Sequence, residues 1–250
     1  MSGHLTINGL TKNFGGLVAI NDVTLDFEPG SLSAVIGPNG AGKTTLFNMV
    51  TGHLQPTAGS ICLNGEELIG LEPRLVVRRG IGRAFQVASL FPTFTVSDAM
   101  TAAVMSQRGK LMDFWTPFPE ESAKKRAHEL LSMIGISEIV DRHCSTLSHG
   151  DKKMLDIALA LALEPKVLLL DEPTAGMGRE ESRAMIERIH RLWETNRMTL
   201  VFIEHDMDIV FGIAQNVHVL RYGSLLASGT PQQIKEHPAV IEAYLGRAEP

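Results

Sequence analysis

Residues 37–44 read Gly37-Pro38-Asn39-Gly40-Ala41-Gly42-Lys43-Thr44, which matches G-x-x-x-x-G-K-[ST] in full. Glycines at these positions let successive backbone N–H groups turn inward on an anion at the start of a helix. Lys43 then reaches the β- and γ-phosphates of a nucleotide, and the Thr44 hydroxyl ligates Mg²⁺. Without context the octet would be a glycine-rich turn with a solvated lysine. Here an apolar run, residues 32–36, precedes it, and Thr45 to Val50 continue in a helical pattern. A second apolar run, residues 167–170, ends in Asp171-Glu172. Asp171 is placed to hold Mg²⁺ through water, as a Walker B aspartate does. Glu172, one residue on, is placed to take a proton from an attacking water. Two acids at a strand end are by themselves a plausible helix cap; the phosphate loop is what gives them a metal and a water to act on.

The elements that position these residues are legible from periodicity. Residues 5–7, 23–27 and 60–63 alternate apolar and polar between turn signals and read as antiparallel strands, the last running into an Asn64-Gly65 hairpin turn. Residues 32–36, 167–170 and 200–203 are short, mainly apolar runs of the kind buried on both faces of a parallel sheet. Between them, residues 183–193 place Met185, Ile186, Ile189, Leu192 and Trp193 on one helical face, and residues 121–134 do so with Ala127, Leu130, Leu131 and Ile134. Alternating strands and helices predict an α/β fold with a mainly parallel sheet. From about Val87 to Leu163 strand signals vanish, which marks an inserted helical subdomain. The expected organisation is one domain over residues 1–250, with residues 1–86 and 164–250 as core and 87–163 as insert.

Leu147-Ser148-His149-Gly150-Asp151 stands before the Asp-Glu pair. Ser148 with Asp151 three residues later resembles a capping box opening a helix over residues 152–163, with the Asp151 carboxylate turned back toward the Ser148 backbone. That helix is apolar nearly all round, and its N-terminus suits a second phosphate. Gln86 ends the sheet-like part, and His205 follows the strand at residues 200–203.

Phosphate loop, Gln86, Leu147-Ser148-x-Gly150, Asp171-Glu172 and His205, in this order, resemble the ATP-binding subunits of ABC transporters over essentially the whole chain. The resemblance implies a P-loop NTPase core with an N-terminal antiparallel β subdomain and an inserted α-helical subdomain, ATP and Mg²⁺ as cofactors, and ATP hydrolysis coupled to transport. It implies that Gln86 contacts Mg²⁺ and the attacking water, that His205 contacts the γ-phosphate, and that Phe14 stacks on adenine. It also implies a head-to-tail dimer, with itself or a paralogous ATPase, in which Ser148 and Gly150 meet the γ-phosphate held by the partner. His149 and Asp151 depart from the family's Leu-Ser-Gly-Gly-Gln, and the segment Ala175-Gly176-Met177-Gly178 lacks the family's common aspartate. Read alone, His149 is a solvated loop histidine.

Lys12 to Ala19, Gly82-Arg83-Ala84-Phe85-Gln86, Ile203 to Met207, and Gly229-Thr230-Pro231 through Ala243-Tyr244-Leu245-Gly246 look like the branched-chain amino acid importer ATPases. Urea or amide importers and the lipopolysaccharide-export type of ATPase share many of these features. Thr230 before Pro231 is independently a good helix start. The family groove just after Gln86 receives a cytoplasmic helix of the permease. In residues 87–94, Phe91 is the expected contact, while Leu90 and Phe94 are expected to pack inward. A second apolar loop, residues 112–119, carries Phe114, Trp115 and Phe118.

Composition bounds the alternatives. The chain has 250 residues, 44% hydrophobic and 20% charged, and a formal net charge of -5, which argues against nucleic acid as partner. An insert of residues 87–163 is too short for the coiled-coil arms of a chromosome-maintenance ATPase, and a small GTPase would lack the later motifs. Two separated cysteines, Cys62 and Cys144, read as buried hydrophobes in a reducing compartment. No signal peptide or membrane-length apolar run is evident. The expected setting is the cytoplasmic face of the inner membrane, on permease subunits served by a solute-binding protein, with no regulatory domain appended.

Overall fold

The apolar run at residues 167–170 has no polar interruption because its alternate side chains enter two different cores. Val167 and Leu169 point into one cluster with Val35, Val201 and Ile203, while Leu168 and Leu170 point into another with Ala34, Leu200 and Phe202. The computed structural model describes residues 2–84, 91–108 and 119–245.

Strands β1 (Leu5–Phe14), β2 (Leu17–Phe27), β4 (Ala58–Leu63) and β5 (Glu66–Glu67) form an antiparallel sheet in the order β2-β1-β4-β5. Strands β3 (Leu32–Ile36), β6 (Ile81–Arg83), β7 (Val167–Asp171), β8 (Thr199–Ile203), β9 (Asn216–Arg221) and β10 (Ser224–Gly229) form a second sheet, β10-β9-β3-β8-β7-β6, parallel except at β10. Helix α1 (Lys43–Val50) lies between the sheets, with Leu46, Phe47 and Val50 buried against the antiparallel strands. Helix α2 (Pro73–Arg79) leads into β6.

The other face of the main sheet is covered by helices. These are α3 (Val96–Gln107), α4 (Glu121–Met133), α5 (His149–Leu161), α6 (Arg179–Asn196), α7 (Met207–Ile213), α8 (Pro231–Lys235) and α9 (Pro238–Leu245). In α6 the buried stripe is Met185, Ile186, Ile189 and Leu192, as the periodicity predicts, while Trp193 stays half-buried and donates its indole N–H to Gly30. Between residues 91 and 163 the described backbone holds no ladder strand, only an isolated bridge from Thr95 to His143.

Several sequence expectations need correction. β1 and β2 run to ten and eleven residues, longer than the clean alternation, because bulges absorb the breaks in period. The helix expected over residues 152–163 starts at His149 and ends at Leu161, because Ser148 caps it one turn earlier. Cys144 is buried as expected, but Cys62 is only half-buried, its thiol 3.9 Å from Glu67. Thr230 forms the expected start of α8, a full capping box with Gln233.

His218 on β9 faces the interior, its ring edge-on to Phe27 at 5.0 Å and its Nδ1 2.7 Å from the Ser228 hydroxyl of β10. Burial pushes its pKa from the ordinary 6.5 down to about 4, against the opposing pull of Asp26. The folded state therefore binds a proton less readily than the unfolded chain, so this contribution is complete above about pH 6.5 and is lost as pH falls toward 4. Between pH 7.5 and 5 the chain should lose about 2 kcal/mol more stability than His218→Gln, from urea unfolding at both pH values.

Candidate functional site

The phosphate-loop octet follows β3 directly. A side chain on Gly37 would stand 2.2 Å from the Leu220 carbonyl oxygen, so only glycine lets the loop leave the sheet here. Gly42 has φ 102 and caps α1, and a Cβ there would meet the Ala19 carbonyl at 2.8 Å. The Lys43 ammonium folds back to donate to the carbonyls of Gly37 (2.7 Å) and Pro38 (3.1 Å). Burial lowers its pKa, while the carboxylates of Glu172 and Asp171 pull the other way.

This loop lines a cavity of about 530 Å³ whose walls bring together Phe14, Asn39, Gly40, Ala41, Gly42, Lys43, Thr44 and Thr45 with Glu172 and His205. Phe14 sits at the tip of the β1–β2 hairpin, 49% exposed, with the Lys12 ammonium 5.1 Å from its ring. It is therefore not a core residue. Tyr222, 80% exposed, stands on the same cavity. Its turn is held to the loop by the Gly223 amide, which donates to Ala41 at 3.1 Å.

A second cavity of about 390 Å³ carries Thr44, Arg83, Lys153, Asp171 and Glu172. Thr44 and Glu172 thus border both. Asp171 closes β7, where Arg83 of β6 donates from Nη2 to its Oδ2 at 2.6 Å and from Nη1 to Asn48 Oδ1 at 2.7 Å. Glu172 has a left-handed backbone, φ 47, which costs an ordinary side chain about 1 kcal/mol. Three bonds hold it there. Its amide donates to the Ile203 carbonyl at 3.0 Å, the Lys153 ammonium donates to its own carbonyl at 2.8 Å, and its carboxylate lies 2.5 Å from His205 Nε2. Buried Glu204 fixes the neighbouring turn by accepting from the Thr174 amide and hydroxyl and from the His205 amide.

The Ser148 hydroxyl accepts from the Asp151 amide at 3.1 Å, but the box is only half formed. The Asp151 carboxylate makes no bond to the Ser148 amide and lies 3.9 Å from Arg142 Nη1, a loose and partly exposed ion pair. His149 is not a free loop residue: it is the first residue of α5, and its Nε2 is 3.1 Å from the Ala175 carbonyl. Ser148 is exposed, and Gly150 is buried with Glu181 Oε1 where its Cβ would be. Neither lines the two cavities, and neither do Gly37 and Pro38. Gln86, Leu90 and residues 112–118 lie outside the described residues.

Sequence reasoning missed Arg83, Lys153, Glu204 and Tyr222. Arg83 and Glu204 lay inside segments that carried the resemblance, and Lys153 and Tyr222 near a motif or a strand end, but nothing local assigned any of them a role, since Asp171 lies 88 residues from Arg83 and Thr174 30 from Glu204. Phe91, 43% exposed, lines a separate apolar cavity of about 300 Å³ with Val76, Val77, Leu159 and Leu163, and Phe94 packs inward as expected.

Comparison with known proteins bears on the family and the fold. Residues 20–175 match the ABC transporter family, and residues 224–250 match a family described as branched-chain amino acid ATP-binding cassette transporter. The chain is 40% identical, over 98% of both chains, to the high-affinity branched-chain amino acid transport ATP-binding protein LivG of Escherichia coli (strain K12). It is also 40% identical, with the same coverage, to BraF of Pseudomonas aeruginosa, which bears the same description. A crystal structure of an ABC transporter ATP-binding cassette in its ADP conformation superposes with a TM-score of 0.86 at 27% identity, covering 98% of this chain and 100% of that one.

Proposed function

This chain belongs to the ABC transporter family of ATP-binding cassettes, and we propose that it hydrolyses ATP to drive uptake of branched-chain or related amino acids through a membrane permease. The observation that carries the catalytic part is the single cavity on which Lys43, Thr44, Glu172 and His205 meet, with Phe14 at its rim. The solute follows from the full-length likeness to LivG and BraF and from the match over residues 224–250. Both favour import over the lipopolysaccharide-export alternative.

In this reading Phe14 stacks on adenine and residues 37–45 wrap the phosphates with their amides. Lys43 exchanges its two carbonyl partners for phosphate oxygens. Thr44, Asp171 and Gln86 hold Mg²⁺. A hydroxyl and a carboxylate on one cavity wall are the hard oxygen donors that ion takes. Bound there, Mg²⁺ would offset phosphate charge. Glu172 accepts the proton of the attacking water, and His205, 2.5 Å away, orients that carboxylate and reaches the γ-phosphate. Residues 1–86 and 164–250 serve as the nucleotide-binding core and 87–163 as the subdomain that carries the signature.

Ser148 and Gly150 open a helix but line neither cavity, which supports the reading that the phosphate they meet is held by another chain. The proposed assembly is a head-to-tail dimer, of two copies or with a paralogous ATPase. It sits on the cytoplasmic face of the membrane with permease subunits and a solute-binding protein. Among the described residues no helix is long and apolar enough to cross a membrane, so attachment falls to a surface. The apolar cavity at Phe91 is the proposed permease contact.

Three measurements test this. Glu172→Gln should bind ATP normally while turnover falls roughly 10²-fold or more, since the amide keeps the shape and cannot accept the proton; near-normal turnover removes the assigned role. Mixing inactive Lys43→Ala and Ser148→Arg chains should restore activity through heterodimers with one intact composite site; no recovery, with mixed dimers demonstrated, excludes the shared site. Phe91→Ala should leave ATP binding and melting temperature nearly unchanged but weaken permease association by about 10-fold or more, as loss of an interface aromatic does. Normal association would move the docking surface elsewhere.

A further inference from the structure

We infer that Arg83 is a built-in counter-ion for Asp171 that competes with the divalent cation for that carboxylate. The inference rests on the metal-binding reading of Thr44 and Asp171 and adds a residue with the opposite charge to it. Arg83 is nearly buried, its side chain 8% exposed, and the Asp171 side chain is 23% exposed. Their bond, 2.6 Å from Nη2 to Oδ2, joins β6 to the end of β7. A carboxylate largely out of water is stabilised by a positive partner, because removing one member of such a pair leaves a poorly compensated charge. Before a metal arrives, Arg83 is that partner.

The geometry also gives the guanidinium somewhere to stay. Its other arm is held by Asn48 Oδ1 at 2.7 Å, on the helix that begins with Lys43, and its carbon lies 5.8 Å from the Phe47 ring. A planar fork can loosen one arm and keep the other, whereas a lysine would offer one point charge to one site. Arg83 lines the same cavity as Thr44 and Asp171, two of the three proposed metal ligands. A cation drawn to Asp171 therefore meets a guanidinium already bonded there. Mutual repulsion raises the concentration at which that cation binds. The pair thus holds the fold together without metal and sets the Mg²⁺ requirement of nucleotide binding.

The test titrates Mg²⁺ at fixed concentration of a fluorescent ATP analogue, with thermal unfolding recorded with and without Mg²⁺. Arg83→Gln should melt lower than wild type in the absence of Mg²⁺. It should also bind the analogue at a half-saturating Mg²⁺ concentration about 10-fold lower, a shift of about 1.4 kcal/mol. Its melting temperature should rise more on adding Mg²⁺ and ATP. Arg83→Lys, which keeps a charge without the fork, should lower the Mg²⁺ requirement by about 3-fold, and it carries the test if Arg83→Gln does not fold. A variant that loses stability while its half-saturating Mg²⁺ is unchanged or higher shows a purely structural ion pair and overturns the inference. If wild type itself binds the analogue with no dependence on Mg²⁺, the metal-binding reading fails, and the inference falls with it.

Discussion

Burial of the parallel sheet on both faces is the constraint from which the site follows. With β3, β7 and β8 buried on both faces, and polar inside the sheet only at Ser33 and Thr199, the groups that do chemistry stand where those strands end. Parallel register then brings the ends together. Asp171 pairs with Ile203, Val35 pairs with Ile203 from the other side, and Arg83 pairs with Leu169. The loop after β3, the acids after β7 and Glu204-His205 after β8 therefore meet at one edge. Two cores, one against the antiparallel sheet and one against the helices, hold that edge rigid.

Charge at the edge is balanced by groups from several elements. Asp171 is met by Arg83 from β6, Lys43 is desolvated beside Asp171 and Glu172, and Glu204 is satisfied by three donors from its own surroundings. Glu172 shows the cost of such placement. Its left-handed backbone is disfavoured, and it persists because bonds from Ile203, Lys153 and His205 over-determine it. One of these, Lys153, belongs to α5, the helix that begins at the signature. The residue proposed as general base is thus held by the same helix whose N-terminus is proposed to meet the partner chain's phosphate. His149, bonded to the Ala175 carbonyl, ties the first turn of that helix to the segment just beyond Glu172.

The antiparallel sheet has a different task. Its hairpin tip presents Phe14, and its strand β2 lays the Ala19 carbonyl close against Gly42 and Gly223. Glycine at both positions is required twice over, by the close backbone approach and by a positive φ, 102 at Gly42 and 78 at Gly223. Tyr222 and Phe14 thus come to one cavity from opposite ends of the chain.

Local pattern was enough for whatever is encoded within a few residues. The phosphate loop, the Asp-Glu pair, the mainly apolar strands, the α6 stripe and the caps at Ser148 and Thr230 each depend on neighbours at fixed spacing, and spacing is visible in sequence. Family resemblance supplied the order of the motifs and with it the fold, and for Gln86 it stands alone. Contacts across the sheet were beyond reach, because nothing near Arg83 in the chain says that Asp171 will be its partner, nor near Lys153 that it will hold Glu172. Asp151 shows the same limit from the other side: its spacing from Ser148 suits a reciprocal cap, yet in the fold its carboxylate lies toward Arg142, 3.9 Å away, and the reciprocal bond is not made. Which acids find which cations is decided by strand order and register, and those exist only once the two cores have packed.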